Sequence, residues 1–204
     1  MIEIRMHGRG GQGAVVASKI LAQAVFYEGK YVQSFPQFGV ERRGAPVAAY
    51  VRIAAPGETF FVRSLIYEPD HVVVLDPTLL EAVNVLDGLK EGGWIIVNYP
   101  GDPGELEISP KYHVATVDAA KIAVSHGLGT AAQPIVNTSI LGALARVTEI
   151  VSLDSLLKAI QESVPVKKEE NAEAAKEAYM NVKVQNGSPL SVESKEKGGG
   201  EGNG

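Results

Sequence analysis

The sequence predicts an α/β fold: three layers, with a Rossmann-like core built on a mixed, mostly parallel sheet. Three observations carry this. Ile2, Ile4 and Met6 alternate with Glu3, Arg5 and His7 as in a short strand, a turn crowded with Gly8, Gly10, Gly11 and Gly13 follows, and an apolar stretch then runs on to Phe26. Two short continuous apolar runs, His71–Leu75 and Trp94–Asn98, have the character of strands buried on both faces. Ahead of both, Pro46–Ile53 and Thr59–Val62 read as two strands joined at Pro56-Gly57, a hairpin that breaks strict βαβ alternation.

The opening strand, glycine turn and helix from about Gln12 to Phe26 form the start of a βαβ unit. Glycine lets the backbone take positive φ and approach a ligand closely. The free N–H groups at the helix start favour an anion. Gly8-x-Gly10-x-x-Gly13 matches a dinucleotide fingerprint, which also expects an acidic residue roughly 20 positions on, at the end of the second strand. Here that strand is Lys30–Phe35, and it ends without a carboxylate. That counts against NAD, although Arg42 and Arg43 would suit a 2′-phosphate. The alternative is a turn that only permits tight helix–sheet packing.

The connection from Gln33 to Pro46 is long and holds the only adjacent arginines, Arg42 and Arg43. Long ordered loops in compact domains are usually functional, and arginine makes bidentate contacts to carboxylate or phosphate. The plainer role is a surface pair with a carboxylate such as Glu41. Asp76 and Pro77 read as the N-cap and first position of a helix reaching about Leu89. Asp76 and Asn98 also stand at strand C-terminal ends, the edge that holds ligands in open α/β sheets. The cap explains Asp76, and a turn role suits Asn98.

Further on, His113–Val117 reads as a strand and Asp118 to about His126 as a helix. Asn137 reads as the N-cap of an apolar helix, and Asp154 opens a helix with Leu156, Leu157, Ile160 and Val164 on one face. Lys167–Lys183 is charged, with a thin apolar side of Ala172, Ala175, Ala178, Tyr179 and Val182, so it packs on the body or on a partner. Residues 1–185 form one α/β domain, and residues 186–204 a flexible glycine-rich tail without apolar anchors.

Composition narrows the function. The chain has 204 residues, 45% of them apolar, which suffices for one core. A net charge of −5 with no basic block argues against nucleic acid. No apolar run reaches about 18 residues, so no transmembrane helix is expected. The N-terminus enters a strand with no signal peptide, so the expected location is the cytoplasm. With no cysteine and four scattered histidines, the chain offers no disulfide, no thiolate for a cluster and no zinc spacing.

GRGGQG at 8–13, QSFPQFGVERRGAPV at 33–47 and EPDHVVVLDPTLL at 68–80, in this order, closely resemble the gamma subunit of the 2-oxoacid:ferredoxin oxidoreductases. LKEGGWIIVN at 89–98 and NTSILGALAR at 137–146 extend the resemblance, which runs from about Ile2 to Val164. The pyruvate enzyme is the nearest fit, with the 2-oxoisovalerate enzyme close behind, and the ERRGAPV form looks more like this branch than like the related chains of 2-oxoglutarate and indolepyruvate oxidoreductases. The resemblance implies a complex with alpha, beta and delta subunits. It oxidatively decarboxylates a 2-oxoacid to acyl-CoA and CO2, with electrons passing to ferredoxin. Thiamine diphosphate, Mg and the iron–sulfur clusters are then expected on the partners and CoA as co-substrate, with no cofactor on this chain alone. This chain also lacks the GDG-to-Asn signature of thiamine diphosphate sites. The residues expected to face CoA or the substrate anion are Gly8, Arg9, Gly10, Gly11, Gln12, Gly13, Arg42 and Arg43. A structural scaffold is the rival role, and a free-standing NAD(P)-binding protein the rival identity.

Overall fold

The computed structural model describes residues 1–37, 43–55, 57–60 and 64–185. The elements run β1 (Ile2–Arg9), α1 (Ala14–Tyr27), β2 (Val32–Pro36), β3 (Pro46–Ile53), β4 (His71–Val74), α2 (Leu79–Ala82) and β5 (Trp94–Asn98). A 3-10 turn (Pro103–Leu106), β6 (His113–Val117), α3 (Ala119–Ser125), β7 (Gly129–Thr130) and β8 (Gln133–Pro134) follow. The chain continues through α4 (Ser139–Thr148), α5 (Leu153–Ser163), α6 (Lys168–Asn181) and β9 (Lys183–Val184). Among the described residues seven strands make one sheet in the order β2-β3-β1-β4-β5-β6-β9, while β7 and β8 pair apart from it. The central strands β1, β4, β5 and β6 are parallel. β3 lies antiparallel between β1 and β2, and β9 antiparallel on β6.

The α/β class and the mixed sheet are as the sequence predicts, with two local differences. The hairpin is β2–β3, with Val32 opposite Ile53, and Thr59 and Phe60 are in no strand. Phe61 and Val62, the rest of the expected second strand, lie outside the described residues. The helix expected from Asp76 to Leu89 is the four-residue α2, with Thr78 at its N-cap position, followed by turns. Leu79, Val85 and Leu89 are all buried against β4 and β5 in one cluster. Helical spacing beyond Ala82 gives way to the burial of Val85 and Leu89.

The alternation of β1 sets the two faces. Ile4 and Met6 join a large core with α1, α3, α4, α5 and α6. Arg5 and His7 point to the opposite face, between the smaller apolar clusters around Val72 and around Tyr50. Arg5 is buried but satisfied: its guanidinium donates to the carbonyls of Val85 and Asp87 and to His7 Nε2. α4 and α6 pack so closely that a Cβ on Gly142 would stand 1.8 Å from the Ala175 carbonyl oxygen. Thr138 and Asn171 tie the starts of these helices with a buried hydrogen bond of 2.7 Å.

Candidate functional site

The carboxyl ends of β1, β4 and β5 open onto a cavity of about 880 Å³. Its walls are the glycine turn, Arg43 and Gly44 ahead of β3, Leu75 to Pro77, Asn98, and the chain from Gly129 to Asn137. This is the edge at which open α/β sheets bind ligands.

The glycines at the turn have separate roles. Gly8 packs under α1, where an added Cβ would lie 3.3 Å from Ala14 Cβ. Gly11 and Gly13 carry positive φ, 95° and 84°. At Gly13 a Cβ would also come within 2.6 Å of Asn137 Nδ2. Gly10 instead pairs with the strand-entry loop: its N–H donates to Ala45 O at 2.8 Å and its carbonyl accepts from Gly44 N at 3.0 Å. α1 starts directly after Gly13 with no side-chain cap and no acidic residue in its first turn. Its first N–H groups are therefore open toward the cavity, where they favour an anion.

Arg9 is not open to the cavity in the same way. It donates through Nε to Asp76 Oδ2 at 3.2 Å, through Nη1 to Gly44 O at 3.1 Å and through Nη2 to Thr78 Oγ1 at 2.7 Å. Gln12 donates to the same Asp76 oxygen at 2.9 Å and accepts from Arg9 N at 2.7 Å. Asp76 Oδ1 accepts from Thr78 N and Thr78 Oγ1. So Asp76, read from sequence as a helix cap, is the hub that joins β4 to the glycine turn. Burial opposes its charge, but the hydrogen bonds from Thr78 and Gln12 and the nearby Arg9 hold its pKa below the ordinary value.

Arg43 is exposed at the cavity wall, and its guanidinium meets no partner among the described residues. Arg42 lies outside the described residues. Asn98 makes no turn. Buried, it donates to Leu75 O at 2.9 Å and accepts from Ala120 N at 3.1 Å, so it braces β4 against α3. Asn137 precedes the N-cap position, which Thr138 occupies, and packs on Gly13 instead.

The missing ribose-binding acid has a topological reason. In this sheet β3 separates β2 from β1, so the end of β2 lies two strands, roughly 10 Å, from the turn. Because β3 runs antiparallel, with Pro46 opposite Arg9, its beginning rather than its end stands beside the glycines. That beginning carries Arg43, a cation where the dinucleotide fold places an acid.

Among the described residues no group of three or more His, Asp or Glu is placed to hold a metal, and no helix is long and apolar enough to cross a membrane. The family described as pyruvate ferredoxin/flavodoxin oxidoreductase matches residues 3–180. A pyruvate synthase subunit PorC of Methanocaldococcus jannaschii is 52% identical over 180 residues, 88% of this chain and 96% of that protein. The pyruvate/ketoisovalerate oxidoreductases common subunit gamma of Pyrococcus abyssi is 52% identical over 189 residues, 90% of this chain and 98% of that one. The crystal structure of a pyruvate oxidoreductase subunit PORC from Thermotoga maritima superposes with a TM-score of 0.77 at 38% identity, covering 91% of this chain and 98% of that one. With a matched family spanning most of the chain and near full-length relatives at this identity, the chain belongs to the pyruvate ferredoxin/flavodoxin oxidoreductase family.

Proposed function

We propose that this chain is the gamma subunit of a pyruvate-type 2-oxoacid:ferredoxin oxidoreductase, and that its cavity receives the anionic part of CoA. The names of the relatives from M. jannaschii and P. abyssi support the subunit assignment. In such a complex the alpha, beta and delta subunits carry thiamine diphosphate, Mg and the iron–sulfur clusters. This chain has no cysteine, so its donor set does not fit a cluster. Its own contribution is to bind, orient and exclude water around a co-substrate.

One observation carries the CoA reading: among the described residues the cavity is cationic without a free carboxylate. Arg43 and the start of α1 face it, while Asp76, the acidic side chain among the described lining residues, is saturated by four hydrogen bonds. Val16 and Ile135, 45% and 48% exposed, add an apolar wall suited to the uncharged part of a large ligand. The volume far exceeds a small 2-oxoacid, which makes CoA the better occupant.

The test is Arg43→Ala in the assembled complex. Charge-assisted hydrogen bonds contribute about 1.5–3 kcal/mol, so KM for CoA should rise by roughly one to two powers of ten. Lysine should recover part of the loss, since it keeps the charge but not the planar fork. A variant that assembles normally with unchanged KM and turnover for CoA removes the reading. A variant that no longer assembles makes Arg43 an interface residue and leaves the scaffold role.

A further inference from the structure

Three loops meet at the cavity mouth: the glycine turn, the entry to β3 and the exit of β4. Backbone hydrogen bonds tie Gly10 of the turn to Gly44 and Ala45 of the β3 entry. The side-chain links that carry this joint on to the β4 exit are polar and centred on one residue. Asp76 Oδ2 accepts from Arg9 Nε and Gln12 Nε2, and its Oδ1 accepts from Thr78 N and Thr78 Oγ1. Arg9 then reaches on to Gly44 O and Thr78 Oγ1. Gln12 closes the circuit by accepting from Arg9 N. The Asp76 side chain is 16% exposed, so this network is shielded enough to hold a geometry.

We propose that Asp76 is a positioning residue: through Arg9 and Gln12 it fixes the glycine turn in the shape that presents its N–H groups to the ligand. This rests on the reading of the cavity as a CoA site. Asp76 itself touches no ligand. All four of its acceptor positions point back into the protein, so its effect passes through the turn. It also keeps Arg9 folded onto the protein, which leaves Arg43, among the described residues, as the guanidinium for the anion.

The chemistry of the network provides a sharp probe. Asp76→Asn keeps the shape but turns one acceptor oxygen into a donor NH2. Whichever way the amide faces, two of the four donors lose their acceptor and meet an N–H instead. In the ligand-free complex, amide hydrogen exchange in peptides covering residues 8–16 should quicken by about tenfold or more, with peptides other than these and the one holding Asp76 and Thr78 unchanged. KM for CoA should rise about tenfold, while KM for the 2-oxoacid and kcat stay within about twofold. Arg43→Ala, run alongside, should raise KM for CoA without altering exchange in the turn. Asp76→Asn with unchanged exchange and unchanged KM for CoA, beside an Arg43→Ala that does raise it, overturns the positioning role and leaves the CoA site standing. Normal KM in both variants removes the CoA site and the proposal with it. A fall in kcat alone, or an equal rise of both KM values, also overturns it. If Asp76→Asn does not assemble, Arg9→Lys decides by the same two measurements, because lysine cannot span Asp76, Gly44 and Thr78 at once.

Discussion

Gly11 and Gly13 share a left-handed backbone but not a neighbourhood. Nothing lies within 4 Å of a Cβ added at Gly11, whereas at Gly13 that atom meets Asn137. Gly11→Ala should therefore cost only the left-handed penalty, about 1–2 kcal/mol. Gly13→Ala should add an overpacking cost of about 1 kcal/mol or more, since Asn137 must move. Thermal unfolding of the full chain separates them, at about 2–4 °C per kcal/mol for a domain of this size. Equal melting temperatures would show that Asn137 yields freely. At this scale the sequence is readable where geometry is local. A glycine run between strand and helix announces positive φ, and it is found at Gly11 and Gly13. What a charged side chain reaches across space is not local. Arg9 belongs to Asp76, 67 positions away, and no pattern around either residue says so. Asp76 satisfies every sequence sign of a helix cap and serves the glycine turn as well.

Among the elements, α6 shows how small residues gain function from their partner. Ala172, Ala174, Ala175 and Ala178 are buried against the body, and Gly142 of α4 touches the α6 backbone at Ala175. Gly142→Ala should push α4 and α6 apart and destabilise the chain by about 1–3 kcal/mol, read as a lower denaturant midpoint. An unchanged midpoint would mean that the pair slides without loss. The central strands were legible because their apolar runs are continuous, as strands buried on both faces require. The hairpin partner of β3 was not. The stretches on both sides of β3 have strand-forming composition, and choosing between them needs the third dimension. The sequence after α2 keeps a helical look beyond Ala82, while the sheet demands that Val85 and Leu89 reach it through turns.

For the whole molecule, acid sensitivity is set by half-buried imidazoles on the sheet. Burial, helped by the charge of Arg5, pushes the His7 pKa down to about 4. Burial likewise brings His71 to about 4, with Asp70 partly opposing and Lys90 and His113 adding to the fall. A histidine with a depressed folded pKa gives its full stability above the unfolded value near 6.5, and that stability is lost as pH falls toward 4. Glu28 is held at about 2: burial raises its pKa, but hydrogen bonds from Lys30 and Ser152 outweigh this. Its loss therefore begins only below its unfolded value, and the interval from pH 6.5 to 4.5 belongs to the histidines. Across it each should withdraw on the order of 2 kcal/mol, measured as unfolding free energy in urea. His71→Gln should flatten about half of the slope. A wild-type stability that is level between pH 6.5 and 4.5 contradicts the burial of these rings. The family, too, was legible at this scale, because the order of five motifs along the chain is a global property. The strand polarity that puts a cation beside the turn emerges only from the assembled sheet.

The joining of three loops through Asp76 and Arg9 also has a consequence for conformational entropy. Ordering a loop residue costs about 1–2 kcal/mol in lost backbone freedom. Where loops close only over a ligand, that loss is subtracted from affinity. Here the glycine turn, Gly44 ahead of β3 and the β4 exit are tied to one another within the folded chain, so the loss is charged to the stability of the protein. A ligand entering the cavity then binds against a rigid rim, and its affinity reflects the contacts it makes.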